Sequence, residues 1–171
     1  MPRITPDAAG GRNVCAALDA IAVSEIGAEL LKLSDDGYNV LVGSVGTRVV
    51  NGVKYPPRLL TFPSYAAHPN VYNAATNSTA AGRYQLLSKF YAPYKAQLKL
   101  PDFSPVSQDL IALQLMRECR AIADFQTGNF ASGITKCRSR WASLPGAGYG
   151  QHENTLDHLQ AAYVAAGGTL A

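Results

Sequence analysis

The pair Asn51-Gly52 sits between Val49-Val50 and Val53, and no other feature narrows the fold as much. Asn and Gly both tolerate positive φ, so between β-branched residues they predict a tight antiparallel hairpin. Upstream, Tyr38, Val40 and Val42 alternate with Asn39 and Leu41 and predict a further strand. Helical spacing lies on both sides. Asn13 reads as the cap of a helix whose Val14, Leu18, Ile21 and Ala22 share one face, with Gly27 as its end. Residues 63–81 predict mostly irregular chain. From Gly82 a stripe of Tyr84, Leu87 and Tyr91 runs until Pro93 ends or bends it. Ser104-Pro105 reads as a cap and first-turn proline before Val106, Leu110 and Leu113. Phe130, Ile134, Cys137 and Trp141 form another apolar face, and a last helix over 154–166 stops at Gly167-Gly168. One helix, a small antiparallel sheet, then several helices is an α+β chain, mostly helical.

Length allows one domain with a sizeable core and is short for two, since the chain has 171 residues. Residues 1–12, rich in Pro and Gly, are expected to be a loose leader, and 13–171 the single domain. Apolar residues make up 47%, which excludes disorder. A net charge of +3 is too weak for a nucleic-acid-binding face. The start, Met1-Pro2-Arg3-Ile4-Thr5-Pro6-Asp7, has no apolar core behind its first charge, and Asp19 interrupts Val14 to Ala22. No signal peptide and no stable membrane insertion are therefore expected, and the chain is expected to be made in the cytoplasm. Cys15, Cys119 and Cys137 are an odd set without metal-ligand spacing, expected as buried free thiols, with one disulfide the alternative.

Glu25 falls seven positions after Leu18 and four after Ile21, inside the apolar arc. Burial raises a carboxyl pKa, which is what a general acid at a glycosidic oxygen needs. The alternative from pattern alone is a Glu at the rim of the core paired with Lys or Arg. Glu29 shares the face if the helix continues. His68, His152 and His158 make no metal motif, and neither a GxxxxGKS nor a GxSxG string occurs. Gly146-Ala147-Gly148-Tyr149-Gly150 follows a helix rather than a strand, against a dinucleotide fingerprint. It is either flexible backbone holding an aromatic near a ligand or a plain loop. No cofactor and no metal are expected.

Three blocks carry a resemblance. They are Ser78-Thr79-Ala80-Ala81-Gly82-Arg83-Tyr84-Gln85-Leu86-Leu87-Ser88, Asp102-Phe103-Ser104-Pro105-Val106-Ser107-Gln108-Asp109, and Trp141-Ala142-Ser143-Leu144-Pro145-Gly146-Ala147-Gly148-Tyr149-Gly150-Gln151. With Ala22-Val23-Ser24-Glu25 and Gly37 to Gly43, in this order, the chain resembles the lambda-type lytic transglycosylases over about residues 14–168. The resemblance implies a lysozyme-like fold and cleavage of the β-1,4 bond between N-acetylmuramic acid and N-acetylglucosamine of peptidoglycan, closing a 1,6-anhydro ring. It places Glu25 as the catalytic acid at the end of the first helix. Ser24, Gln85, Tyr149 and, more weakly, Tyr38 become sugar-contact candidates. Trp141 stays a core residue by its stripe. Arg83 either orients substrate or pairs with an acid. Where hydrolysing phage lysozymes carry an Asp and a Thr after their Glu, this chain has Ser34 and Val40, while Asp35 and Asp36 read as a turn with Ser34 and Gly37. A monomeric phage endolysin is implied, held in the host cytoplasm until a separate membrane-permeabilising, holin-like protein lets it reach the periplasm and wall. The rivals are a hydrolytic muramidase using the same Glu and a catalytically silent glycan-binding phage component.

Overall fold

The computed structural model describes residues 4–150 and 152–171. Eight helices and one two-stranded antiparallel sheet are found among them, so the chain is mostly helical α+β as expected. It forms two compact units, Met1–Glu25 with Asp109–Ala171, and Ile26–Gln108.

In the first unit, residues 4–12 correct the expectation of a loose leader. Helix α1 (Pro6–Ala9) is capped by the Thr5 hydroxyl, which accepts from the Ala8 amide, and Pro6 opens the helix. Ile4 and Ala9 are buried, and the Ile4 amide donates to Asp109 Oδ2 at 2.9 Å. Thr5-Pro6 is the same cap-and-proline signature as Ser104-Pro105, and it outweighs the loop-like composition around it. Residues 1–3 lie outside the described part. Helix α2 (Arg12–Ile26) starts one residue before the expected cap. Asn13 instead accepts from the Thr169 amide at 2.9 Å, tying the first long helix to the chain end. The buried core of this unit includes Leu18 and Ile21 with Phe125, Phe130, Ile134, Trp141 and Tyr163. The Phe130 and Tyr163 rings stack at 4.5 Å. Gly168 passes so close to Tyr163 that a Cβ would lie 2.5 Å from the ring. All three thiols are free; Cys137 is buried, while Cys15 and Cys119 are half-buried.

The second unit holds helix α3 (Ala28–Leu33), strands β1 (Arg48–Val50) and β2 (Val53–Tyr55), and helix α4 (Ser88–Leu98). The hairpin is where it was expected. Val50 pairs with Val53 across Asn51 (φ 50°) and Gly52 (φ 78°), the positive angles a two-residue turn requires. The strand expected at 38–42 is not one; single bridges join Val40 to Thr61 and Leu41 to Ala81 instead. The helix expected from Gly82 begins only at Ser88 and continues through Pro93 to Leu98. Tyr84 lies in the turn before it, because Gly82 (φ 81°) and Gln85 (φ 47°) hold left-handed backbone that no helix accepts.

With so little regular structure over 34–87, side chains satisfy the backbone. Gln108 is buried at the start of helix α5 (Pro105–Glu118). It accepts from the Arg83 amide and donates to the Tyr38 and Phe103 carbonyls, each at 2.9 Å. A Cβ on Gly82 would meet the same Gln108 oxygen at 2.2 Å, so glycine is required there. The Arg83 guanidinium is buried, pairs with Asp36 Oδ1 at 2.6 Å and lies over the Tyr38 ring. His68, Tyr91 and Phe103 pack beside this knot, with His68 and Phe103 centroids 4.9 Å apart. Helices α6 (Ile122–Gln126), α7 (Phe130–Cys137) and α8 (Leu156–Ala165) complete the first unit.

Gln108→Leu keeps the volume but removes a partner from two buried carbonyls and one amide. It is expected to lower stability by about 3 kcal/mol, since each buried group left unpaired costs about 1–3 kcal/mol. Urea unfolding followed by circular dichroism checks this; a midpoint equal to wild type would show the knot to be dispensable.

Candidate functional site

Helix α2 is apolar nearly all round, with Ala17, Leu18, Ala20, Ile21 and Ala22 buried. Its last turn carries Ser24 and Glu25. Gly27 (φ 86°) ends it and opens α3, so the two carboxylates on the expected common stripe separate. Glu29 turns to Thr47, accepting from its amide and its hydroxyl, both at 2.6 Å. Glu25 stays in the first unit with a different set of neighbours.

Glu25 Oε1 accepts from the Ser143 hydroxyl at 2.6 Å. Ser143 Oγ is 2.7 Å from Ser24 Oγ. Asn154 donates its side-chain N–H to Ser24 Oγ at 3.1 Å and to the Ser24 carbonyl at 3.1 Å. Ser143 follows the buried Trp141, and Asn154 immediately precedes Thr155, whose hydroxyl caps α8. Burial raises the Glu25 carboxyl to about 7, although the two Ser143 donors, hydroxyl and amide, pull the other way. Among the described residues no ionised neighbour contributes to this shift. The rim-of-core alternative with a Lys or Arg partner is therefore not what the structure contains. A carboxyl with this value holds a proton near neutrality and can also take one back.

The other expected site residues divide. Ser24 is buried with its hydroxyl engaged by Ser143 and Asn154, so it supports Glu25 instead of facing a sugar. Tyr38 is 0% exposed under the Arg83 guanidinium, which corrects its placement as a sugar contact. Arg83 takes the acid-pairing role, with Asp36. Gln85 is half-buried, and its amide nitrogen donates to the Gly82 carbonyl at 2.9 Å, closing its own turn. Tyr149 is 55% exposed, its hydroxyl donating to the Ser139 carbonyl at 3.0 Å. Its loop is fastened by Glu153, whose two oxygens accept from the Gly146 and Gly148 amides at 2.8 and 2.7 Å. Gln151, the end of the third block, lies outside the described residues. Ser143, Asn154 and Glu153 were missed. Each is polar and close to the glycine-rich loop, but no periodicity marks it.

Asp35 and Asp36 belong to the second unit and form the expected turn. The Gly37 amide donates to Ser34 Oγ and the Tyr38 amide to the Asp35 carbonyl, both at 2.9 Å. Asp35 Oδ2 accepts from the Tyr65 hydroxyl at 2.6 Å, and Asp36 is spent on Arg83.

Comparison with known proteins covers nearly the whole chain. The family model for Endolysin matches residues 15–170. The endolysin of Escherichia phage P2 is 42% identical over 168 residues, covering 94% of this chain and 96% of that protein. The endolysin of Escherichia phage lambda is 42% identical over 139 residues, 81% of this chain and 80% of its own length. The structure of bacteriophage lambda lysozyme complexed with a chitohexasaccharide matches with a TM-score of 0.78 at 39% identity, covering all of both chains. A second structure of lysozyme from bacteriophage lambda matches with a TM-score of 0.75 at the same identity and coverage. The lysozyme-like fold is thus shared, and the chain belongs to the endolysin family.

Proposed function

We propose that this endolysin cleaves the β-1,4 bond between N-acetylmuramic acid and N-acetylglucosamine in peptidoglycan by transglycosylation, with Glu25 as the acid and then the base. The observation that carries the reading is the Glu25 carboxyl at the end of α2, held by the Ser143 hydroxyl at 2.6 Å and without an ionised partner among the described residues, where burial raises it to about 7. The relative complexed with a chitohexasaccharide supports a glycan as substrate. Protonated Glu25 donates to the leaving glycosidic oxygen as an oxocarbenium-like state develops on the muramoyl sugar. The resulting carboxylate takes the proton of that sugar's C6 hydroxyl, whose oxygen attacks the anomeric carbon. The bond to the leaving sugar breaks, a 1,6-anhydro ring closes, and Glu25 is again protonated. Intramolecular attack profits from a high effective concentration.

A hydrolase would need a water and, in the common arrangement, a second carboxylate to activate it. Asp35 and Asp36 are engaged with Tyr65 and Arg83, which favours the reaction without water. Tyr149, with its exposed ring, and Gln85 are assigned to sugar contact. Among the described residues no helix is long and apolar enough to cross a membrane. On the endolysin reading, access to the wall from the host cytoplasm is assigned to a separate holin-like permeabilising protein.

Glu25→Gln is expected to lower clearing of purified walls by at least about a hundredfold, the usual scale for a positioned acid. Activity above a few per cent in the folded variant would remove Glu25 from its role. The same variant has a second readout. The carboxyl rises from 4.5 to about 7 on folding, so its contribution to stability is lost as pH rises through that window. Glu25→Gln is expected to be more stable than wild type by about 3 kcal/mol at pH 8, and to lose that advantage at pH 4.

Mass spectrometry of released fragments is expected to show ends one water lighter than hydrolysed ends. Asp35→Asn and Asp36→Asn, compared per folded molecule, are expected to keep at least about a tenth of the activity and the same anhydro ends. Hydrolysed ends, or a loss in either variant equal to that of Glu25→Gln, would point to a two-carboxylate hydrolase. Expression of the chain alone is expected to leave cells intact until a membrane permeabiliser is added; prompt lysis without one would remove the holin-like partner.

A further inference from the structure

We propose that Ser143 is a positioning residue that holds the Glu25 carboxyl at Oε1 and sets its readiness to give up the transferable proton, its hydroxyl aimed by Ser24 and Asn154; this rests on the assignment of Glu25 as the acid. The direction of every hydrogen bond in the set follows from its partners. Asn154 approaches the carbonyl oxygens of Ser24 and Ser143, at 3.1 and 3.4 Å, so its amide nitrogen has to face them. That nitrogen also donates to Ser24 Oγ at 3.1 Å. Ser24 therefore keeps its own proton for Ser143, whose hydroxyl oxygen is 2.7 Å away and whose carbonyl is 3.2 Å away. Ser143 donates its own proton to Glu25 Oε1 at 2.6 Å, which makes Ser24 the donor between the two hydroxyls. The order runs from Asn154 through Ser24 and Ser143 to Glu25, and each donor polarises the next.

A carboxyl oxygen that accepts a short hydrogen bond is a poor place for the acid's own proton. The Ser143 hydroxyl therefore disfavours a proton on Oε1 and, with the Ser143 amide, favours the carboxylate. The backbone anchors the loop in this register, since the Asn154 amide donates to the Ser143 carbonyl at 2.8 Å. Ionisable groups on the neighbouring elements do not share the task. Asp19, earlier on α2, is buried and is not among the influences on Glu25. Glu153, beside Asn154, spends both oxygens on the Gly146 and Gly148 amides.

Loss of the Ser143 hydroxyl removes a donor that favours the carboxylate, so the alkaline limb of the pH–rate profile has to move up. Ser143→Ala is expected to shift that limb upward by about one unit and to lower kcat about tenfold, with KM nearly unchanged. Ser143→Thr, which restores the hydroxyl, is expected to return the limb to its wild-type position. Carbon-13 NMR titration of the Glu25 carboxyl reads the same shift without turnover. A folded Ser143→Ala variant with unmoved limb and unmoved titration would overturn the proposal, whatever its activity. Should that variant not fold, Ser24→Ala carries the test, because it removes the donor to Ser143 and shifts the limb in the same direction; an unmoved limb there overturns the proposal equally. Failure of the acid assignment itself is separate, appearing as retained activity in Glu25→Gln.

Discussion

Every buried backbone N–H and C=O needs a partner, and a chain that forgoes sheet and helix must find those partners among side chains. Residues 34–87 live under that constraint. Their regular structure is a hairpin of three-residue strands, so polar side chains take over the bonding that a ladder would supply. Asn73 donates to the Val42 carbonyl while its oxygen accepts from the Ala75 amide. Ser44 accepts from the Leu60 amide, and Gln108 joins three separate stretches of backbone. The ion pair of Arg83 and Asp36 belongs to the same arrangement. It is costly to bury, and its guanidinium repays part of that cost by covering the Tyr38 ring.

The first unit turns the same constraint to chemical use. A carboxyl placed at the end of an apolar helix loses its hydration, and the charged form suffers most. Full isolation would raise the group beyond any working pH. Two donors from Ser143 moderate the effect, leaving a value near neutrality. The balance is set by neutral groups alone among the described residues, so it is insensitive to the ionic strength that weakens charge–charge effects at a surface.

Helices α2, α5, α7 and α8 and the hairpin were legible because each rests on local rules. Asn51-Gly52 specifies its turn without help, and Pro105, Gly167 and the 130–137 stripe mark their helices directly. Glu25 was legible for the same reason, as a charge out of place on an apolar face. What misled the reading was chain whose conformation is decided at long range. Tyr38, Val40 and Val42 alternate like a strand, yet Leu41 and Val42 bond to Leu60 and Ala80, residues no pattern connects to them. Tyr38 looked like a sheet-edge aromatic and is a core ring because Arg83 lies over it. Ser143 and Asn154 lie 118 and 129 positions from Glu25, and short polar side chains at such separations leave no periodic trace.

Among the described residues, the β1–β2 hairpin is the one regular element with every side chain exposed. Val49, Val50, Val53 and Tyr55 gain nothing from a core, and Asn51-Gly52 alone sets the register. Substitution on either face therefore leaves the rest of the protein's free energy nearly untouched, provided that the turn is kept. Such a ribbon is free to diverge fast under selection. It is also the natural place to graft a foreign peptide or exchange loops between relatives, since the scaffold neither supports the hairpin's sequence nor depends on it.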